Sequence, residues 1–167
     1  MYHLCSITFK LPMQVMKTAF FIAFLFTAGI AVAQTPALRQ KQFNTENGVA
    51  LSGYDPVSYF QKKPMKGSKA FTVTHEGISY QFTNAANADS FRKNPAAYEP
   101  QYGGWCAYAM GAKGEKVEIN PETYKITGGK LYLFYNRFFN NTLTDWNKAE
   151  TDLKIAADKN WHRISGL

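Results

Sequence analysis

The sequence is poor in cysteine and histidine, on which much small-enzyme and metal chemistry depends. It holds two cysteines and three histidines in 167 residues. Cys5 falls in an apolar leader, so the remainder keeps one cysteine, Cys106, and two histidines, His75 and His162. One cysteine excludes the internal disulfide framework that stabilises many small exported domains, so stability has to come from the core. Two histidines leave few candidates for a general base.

Signature motifs of catalysis are also lacking. The sequence contains no GxSxG, GxGxxG or GxxxxGK pattern, which excludes the common hydrolase and nucleotide-binding signatures. His75 and Glu76 begin like a zinc-protease HExxH motif, but the second histidine is missing and Gly77 disfavours the required helix. These absences favour a binding protein over an enzyme.

An apolar run over residues 18–32 follows a lysine-containing start and ends in the small-x-small pattern Ala31-Val32-Ala33. This arrangement is typical of a cleaved signal peptide. A membrane anchor would need a longer run, of about 18 or more apolar residues. We therefore predict a signal peptide over residues 1–33, with Met16 as an alternative start, and an exported protein, periplasmic or secreted, that is not an integral membrane protein once processed.

The charge balance is basic. The formal net charge is +7, and removing Lys10 and Lys17 from the 19 basic residues leaves 17 against 12 acidic ones, a net charge of +5. Much of it lies in one loop, formed by Lys62, Lys63, Lys66 and Lys69. Such a loop either meets phosphates or an anionic membrane, or simply keeps the protein soluble. Because the chain is exported, we predict no nucleic-acid partner.

The domain is predicted to begin after a short lead-in. Residues 34–46 are polar, contain Pro36 and are predicted to be flexible, so the domain proper spans residues 47–164. Asp55 followed by proline is a helix-start signal, because the carboxylate caps free amides and proline suits the first turn. A short helix over residues 57–60 is expected.

Two stretches alternate between apolar and polar side chains as β-hairpins do. The first, FTVTHEGISYQF over residues 71–82, turns at Glu76-Gly77, and the second, TYKITGGKLYLFYN over residues 123–136, turns at Gly128-Gly129.

A helix is expected after each hairpin. Asn84 is a cap for one that ends before Pro95, and Thr144 is a cap for an amphipathic helix over residues 145–164. The predicted fold class is therefore α+β, with two antiparallel β-hairpins packed against helices in a single domain.

Cys106 lies in the stretch PQYGGWCAYAM and has three possible roles. It can fill space in the core, serve a soft metal or redox reaction, or form an intermolecular disulfide. If residues 105–110 are helical, Cys106 and Met110 share a face at i, i+4, and a thiolate with a thioether suits a soft ion such as Cu(I). His75 is the available third ligand, although the sequence favours a hydrogen-bonded role for it at the hairpin turn.

An enzymatic alternative rests on the same cysteine. Gly103-Gly104 permits a tight turn, and a helix beginning after it would lower the pKa of the Cys106 thiol. Cys106 would then act as a nucleophile or redox thiol.

The segments GYDPVSYF, YQFTNAANADSFRKNPAAYEPQYGGWCAYA and GKLYLFYN together resemble the YHS-domain family, in its exported single-domain form. The resemblance covers roughly residues 47–161 and implies a small module of a metal-binding type. Metal-associated members carry cysteine in a DPVCGM motif, where this chain has Ser58, and further cysteines where residues 82–87 contain none. The resemblance therefore implies the fold but not that thiolate site.

Taken together, the sequence predicts an exported, non-enzymatic binding module for a metal ion, a metal-bearing cofactor or a small molecule. The first alternative to this binding module is the thiol enzyme described above, and the second is a structural or interaction protein without a ligand. The predicted ligand-binding residues are Tyr54, Asp55, Gly103, Gly104 and Trp105, and the predicted copper ligands are Cys106, Met110 and His75.

Overall fold

The computed structural model describes residues 31–167, so nearly all of the predicted signal peptide, residues 1–33, lies outside the described residues. The helices are α1 (Ala31–Gln42), α2 (Pro56–Phe60), α3 (Ala85–Lys93), α4 (Pro95–Tyr98), α5 (Ala107–Ala112), α6 (Thr142–Lys148) and α7 (Glu150–Ser165). The strands are β1 (Thr45–Glu46), β2 (Val49–Ala50), β3 (Ser68–His75), β4 (Ile78–Phe82), β5 (Asn120–Thr127), β6 (Lys130–Phe134), β7 (Asn136–Arg137) and β8 (Asn140–Asn141). Single turns of 3₁₀ helix span Leu51–Gly53 and Gln101–Gly104. The predicted α+β class is confirmed.

The first predicted hairpin is formed by β3 and β4, which pair antiparallel about the expected Glu76-Gly77 turn. Alternate residues of β4, namely Ile78, Tyr80 and Phe82, are buried, so one face of this hairpin covers the core. Strand β2 pairs parallel with β4 and antiparallel with β1, which completes a sheet in the order β1-β2-β4-β3.

The second predicted hairpin is formed by β5 and β6. Both faces of β6 are buried: Leu131 and Leu133 belong to one core cluster, and Tyr132 and Phe134 belong to a second. This strand therefore divides the core into two parts. Isolated parallel bridges to β6 also bring the stretch around Cys106 onto its edge, with Cys106 opposite Leu133.

Helix α3 begins and ends as predicted. The Asn84 side chain accepts a hydrogen bond from the Asn87 amide, and buried Phe91 packs its ring against Tyr80 and Phe82 of the first hairpin at 4.7 and 5.2 Å between ring centroids. The helix thus covers the sheet. Helix α2, capped by Asp55, is also where the sequence predicts a helix.

The predicted continuous C-terminal helix is wrong in one respect. It is two helices, α6 and α7, separated at Ala149, whose φ of −145° is not helical. The cap of α6 is Asn141, whose side chain accepts from the Leu143 amide, and Thr144 lies inside the helix. The amphipathic pattern continues across the break, so the pattern alone does not reveal it. None of the helices among residues 31–167 is long and apolar enough to cross a membrane.

The predicted flexible lead-in over residues 34–46 is also wrong. Residues 34–42 of this segment belong to helix α1, and Arg39 on the helix and Phe43 just after it are buried at 8% exposure each. The Arg39 guanidinium pairs with Glu99 and lies 4.3 Å from the centroid of the Phe43 ring. Polar composition suggested flexibility, but these two side chains attach the segment to the domain.

Candidate functional site

Asp55, a predicted ligand-binding residue, is fully buried and its carboxylate is already occupied. One oxygen accepts from the amides of Val57 and Ser58, and the other accepts from the Thr83 amide, the Thr83 hydroxyl and the Asn87 side chain. Five donors use the accepting capacity of both oxygens. Asp55 is therefore a structural residue, and its predicted contact with a ligand is wrong.

Tyr54 and Ser58 also make internal bonds. The Ser58 hydroxyl donates to the Asp55 carbonyl at 2.6 Å and accepts from the Met65 amide at 3.0 Å, so it fixes the loop after α2. The Tyr54 hydroxyl donates to Glu122 at 3.0 Å. Desolvation, with a smaller effect of the Glu122 carboxylate, raises the pKa of Tyr54 and keeps it a neutral donor.

The motif Gly103-Gly104-Trp105, predicted to contact a ligand, instead holds the N-terminal segment. The carbonyl of Gly103 accepts from the Asn44 amide at 2.8 Å, and that of Gly104 accepts from the Asn44 side chain at 3.3 Å. The indole of Trp105 donates to the Gln42 carbonyl at 2.7 Å. These bonds lie within the chain, and the predicted ligand contact of the motif stays a prediction.

The helical premise of the copper prediction is wrong. Helix α5 begins only at Ala107, and Cys106 is its cap, with a ψ of 116° that is not helical. Its side chain belongs to the first core cluster, whereas the buried side chain of Met110 belongs to the second. The Cys106 carbonyl accepts from the Met110 amide, but this backbone contact does not bring the two sulfurs together.

His75, the predicted third ligand, has its ring edge-on to Phe91, with 6.1 Å between centroids. Among residues 31–167, no three His, Cys, Asp or Glu side chains converge in a way that could hold a metal ion. The predicted copper site includes the thioether of Met110, which is not among those side chains, so it stays a prediction that has lost its helical basis.

The thiol of Cys106 is fully buried and hydrogen-bonded on both sides. Its sulfur accepts from the Tyr135 amide at 3.3 Å and lies 3.4 Å from the Thr142 hydroxyl oxygen. That hydroxyl donates its single proton to the Tyr135 carbonyl at 3.0 Å. By elimination, the thiol proton is donated to Thr142, and a neutral thiol satisfies every group in this small network.

A cavity of about 260 Å³ lies beside this thiol. Its walls combine aromatic and aliphatic side chains with a few polar ones, and they are formed by Cys106, Tyr108, Ala109, Lys113, Glu115, Val117, Tyr135, Asn140 and Thr142. Lys113, Glu115 and Asn140 are exposed, so they mark the mouth, whereas Cys106, Ala109 and Thr142 are buried and mark the interior. An apolar cavity with a few polar groups is the usual composition of a small-molecule site.

A larger depression of about 370 Å³ lies between α4 and α7, and three of its polar side chains are already paired. Tyr102 donates to Asp158 at 2.9 Å, and Glu99 accepts from Arg39 and Tyr80. His162 lines this depression rather than the cavity beside Cys106. The Cys106 cavity is therefore the better candidate.

Sequence reasoning missed most of this cavity. Tyr108 lies within the Cys106 motif and could have been included, but Thr142 is 36 residues further along the chain and reaches the thiol only through the fold. No family model, no curated protein and no solved structure matches the chain.

Proposed function

We propose that this protein is an exported, non-enzymatic binding module of the YHS type that holds a small, largely apolar molecule in the cavity beside Cys106. The observation that carries the proposal is the cavity itself, with a buried thiol inside, tyrosines on its walls and polar side chains at its mouth. The sequence motif containing Cys106, which carries the family resemblance, contributes three of the lining residues: Cys106, Tyr108 and Ala109.

The size of the cavity limits the ligand. A dry cavity of about 150 Å³ accommodates benzene, so about 260 Å³ suits a molecule of one or two rings. Lys113, Glu115 and Asn140 supply one cation, one anion and one amide at the mouth, which suits a polar substituent that faces outward. The ligand class is therefore a small aromatic molecule with one polar group.

The surroundings of the thiol argue against the enzymatic alternative. A cysteine nucleophile needs an adjacent base or cation, and the groups hydrogen-bonded to the Cys106 sulfur in the described part of the chain are an amide and a hydroxyl. Neither can take the thiol proton as a general base. The binding function is favoured for this reason.

The binding proposal is tested with indole and p-cresol as probes, in an NMR titration of the ¹⁵N-labelled protein. We expect amide shifts centred on Tyr135 and Thr142. Val117→Trp places a ring in the cavity and abolishes these shifts, whereas Ile155→Trp, at an exposed position on α7, leaves them unchanged. Unchanged spectra of the wild-type protein at millimolar probe, or equal shifts in the Val117→Trp protein, would show that this cavity is not the site.

Export is a separate part of the proposal. It rests on the apolar run and the Ala31-Val32-Ala33 pattern. The intact mass of the protein recovered from outside the cytoplasm of its host should correspond to a chain beginning at Gln34. A mass that retains the apolar run contradicts the predicted cleavage.

A further inference from the structure

Strands β7 and β8 form a small hairpin with two phenylalanines at its end. Asn136 pairs with Asn141 and Arg137 with Asn140, so Phe138 and Phe139 form the two-residue turn, called here the Phe138–Phe139 tip. Their relative exposures are 88% and 111%. Two adjacent aromatic side chains thus project into solvent and bury no apolar surface within the described domain.

The backbone of the tip makes this choice of residue more unusual. Phe138 and Phe139 have φ of 51° and 64°, which is the pattern of a type I′ turn. Asn-Gly is the preferred sequence for such a turn, and bulky residues at positive φ are outliers. Phenylalanine therefore costs free energy at both positions and gains none by packing. A contact outside residues 31–167 would account for both side chains.

The surroundings of the tip are free of acidic side chains along the chain. Between Thr123 and Thr144 the sequence contains no aspartate or glutamate, while Arg137 adjoins the tip. Arg137 pairs with no carboxylate among residues 31–167. Glu115, the carboxylate at the mouth of the cavity beside Cys106, is accompanied by Lys113. The charge around the tip thus complements an anionic surface.

We propose that the Phe138–Phe139 tip inserts into the interfacial region of a lipid bilayer that carries anionic headgroups. The two rings would occupy the boundary between headgroups and acyl chains, and the guanidinium of Arg137 would pair with phosphate at the level of the headgroups. The exposed side chain of Asn140 supplies a further hydrogen bond there. Because only two apolar side chains insert, the binding is weak and reversible.

This inference goes beyond the proposed function and is independent of it. Asn140 belongs both to the hairpin and to the mouth of the cavity beside Cys106. Insertion of the tip would therefore bring the mouth of the cavity close to the membrane surface.

The test is sedimentation of the protein with vesicles of phosphatidylcholine, with and without phosphatidylglycerol. The variant Phe138→Asn/Phe139→Gly removes both rings and installs the preferred turn sequence, so we expect a higher Tm together with weaker vesicle binding. Each buried phenylalanine is worth about tenfold in affinity, so the double variant should bind roughly a hundredfold more weakly. Ile155→Asn removes another exposed apolar side chain, 65% exposed on α7, and should leave vesicle binding unchanged.

Arg137→Gln tests the electrostatic part, and it should reduce binding to the anionic vesicles only. Lys62→Ser/Lys63→Ser in the basic loop should leave binding unchanged. Absence of wild-type binding to anionic vesicles overturns the proposal, as does binding that depends on the lysine loop and not on the phenylalanines. A dimer that dissociates in the Phe138→Asn/Phe139→Gly variant, without vesicle binding, would make the tip a self-association surface instead. None of these outcomes depends on whether indole enters the cavity.

Discussion

The carboxylate of Asp55 links three parts of the chain: the first turn of α2, the end of β4 at Thr83, and α3 through Asn87. The hydrogen bond to the Asn87 side chain is 2.6 Å long, and none of the other bonds exceeds 3.3 Å. No cation is paired with this buried carboxylate among residues 31–167, so amide and hydroxyl dipoles stabilise its charge. Asp55 is therefore important because it connects these three parts of the chain, and not because it binds a ligand.

We expect Asp55→Asn to lower the free energy of unfolding by about 3 kcal/mol, because an amide nitrogen would replace an oxygen that accepts from buried donors. Urea denaturation measures the loss. Asp89→Asn is the control, because Asp89 is 61% exposed in its side chain and bonds only to neighbouring Arg92. If the two variants are equally stable, the network around Asp55 is not important for folding.

Gly103 is required by both its conformation and its surroundings. Its φ is +60°, and a Cβ there would lie 2.8 Å from the Trp161 ring and 3.1 Å from Phe43. We expect Gly103→Ala to cost about 3 kcal/mol, from backbone strain and overpacking together. Gly128→Ala is the matched control, since its φ is +56° and no atom lies within 4 Å of the added carbon.

The control should lose only about 1 kcal/mol from backbone strain. The midpoints of urea unfolding compare the two variants directly. Equal losses would mean that α7 and the N-terminal segment move aside freely at Gly103.

Cys106 offers a test of the packing role against the copper prediction. Cys106→Ala leaves the part-buried Tyr135 amide without its acceptor, so we expect a loss of about 2 kcal/mol. Cys106→Ser keeps a group that can both accept and donate and should lose less. Elemental analysis and Cu(I) titration of the same proteins should show equal metal content. Stoichiometric Cu(I) that disappears in Cys106→Ser and His75→Ala would restore the metal site.

The two hairpins could be predicted because their information is local. A glycine-containing pair marks each turn, Glu76-Gly77 in the first hairpin and Gly128-Gly129 in the second. The alternation of apolar and polar residues on either side of the turn predicts which face is buried. The cavity could not be predicted, because it depends on Cys106 lying beside Leu133 of β6 through an isolated bridge. No spacing in the sequence encodes that contact. The start of α5 after Cys106 could not be predicted either, because it also depends on a contact between distant residues. The Trp105 indole donates to the Gln42 carbonyl, and this bond holds Trp105 outside the helix.

The N-terminal helix was missed because its stabilising contacts are distant in sequence. Arg39 pairs with Glu99, which lies 60 residues further along the chain. From the sequence alone, the charged side chain of Arg39 is expected in solvent. The Phe138–Phe139 tip escaped prediction because phenylalanine is unusual in a two-residue turn. For the N-terminal helix, tertiary contacts outweighed the polar composition of the segment. For the Phe138–Phe139 tip, the turn lacks the residues by which such turns are usually predicted.

Lys125 on β5 connects two elements, the second hairpin and the start of α7, by donating to Glu150 at 2.6 Å. This hydrogen bond lowers the pKa of Glu150, against the opposing effect of desolvation. The folded protein therefore holds the glutamate proton less tightly than the unfolded chain does. The resulting stabilisation is present in full above the ordinary glutamate pKa and is lost as the pH falls through the lowered value.

We expect Lys125→Met to lower Tm at neutral pH and to converge with the wild-type protein as the pH falls through the lowered pKa of Glu150. Thermal unfolding from about pH 7 to about pH 3 measures this difference. Lys148→Met, at an exposed pair with Asp145, should follow the wild-type curve closely. A constant difference between Lys125→Met and wild type at every pH would exclude Glu150 as the titrating group.

For the whole molecule, the N-terminal segment is part of the folded domain rather than a tether. Arg39 contacts Glu99 and Glu76, and Glu99 also accepts from the buried Tyr80 hydroxyl at 2.7 Å. The N-terminal segment and the Gly103-Gly104-Trp105 stretch also stabilise each other, since Asn44 and Gln42 of the segment bond to that stretch. A signal peptidase cut after Ala33 would leave all of these contacts in the mature chain.

We expect Arg39→Ala to lower the free energy of unfolding by about 3 kcal/mol, because it leaves the Glu99 carboxylate, 16% exposed, without its cation. Arg92→Ala removes a pair whose side chains are 53% and 61% exposed and should cost about 0.5 kcal/mol or less. The double variant Arg39→Met/Glu99→Gln should recover part of the loss, since the glutamine oxygen still accepts from Tyr80. Hydrogen exchange over residues 36–44 would report local detachment of the segment. Stability within about 0.5 kcal/mol of wild type in Arg39→Ala would mean that the segment does not hold the domain together.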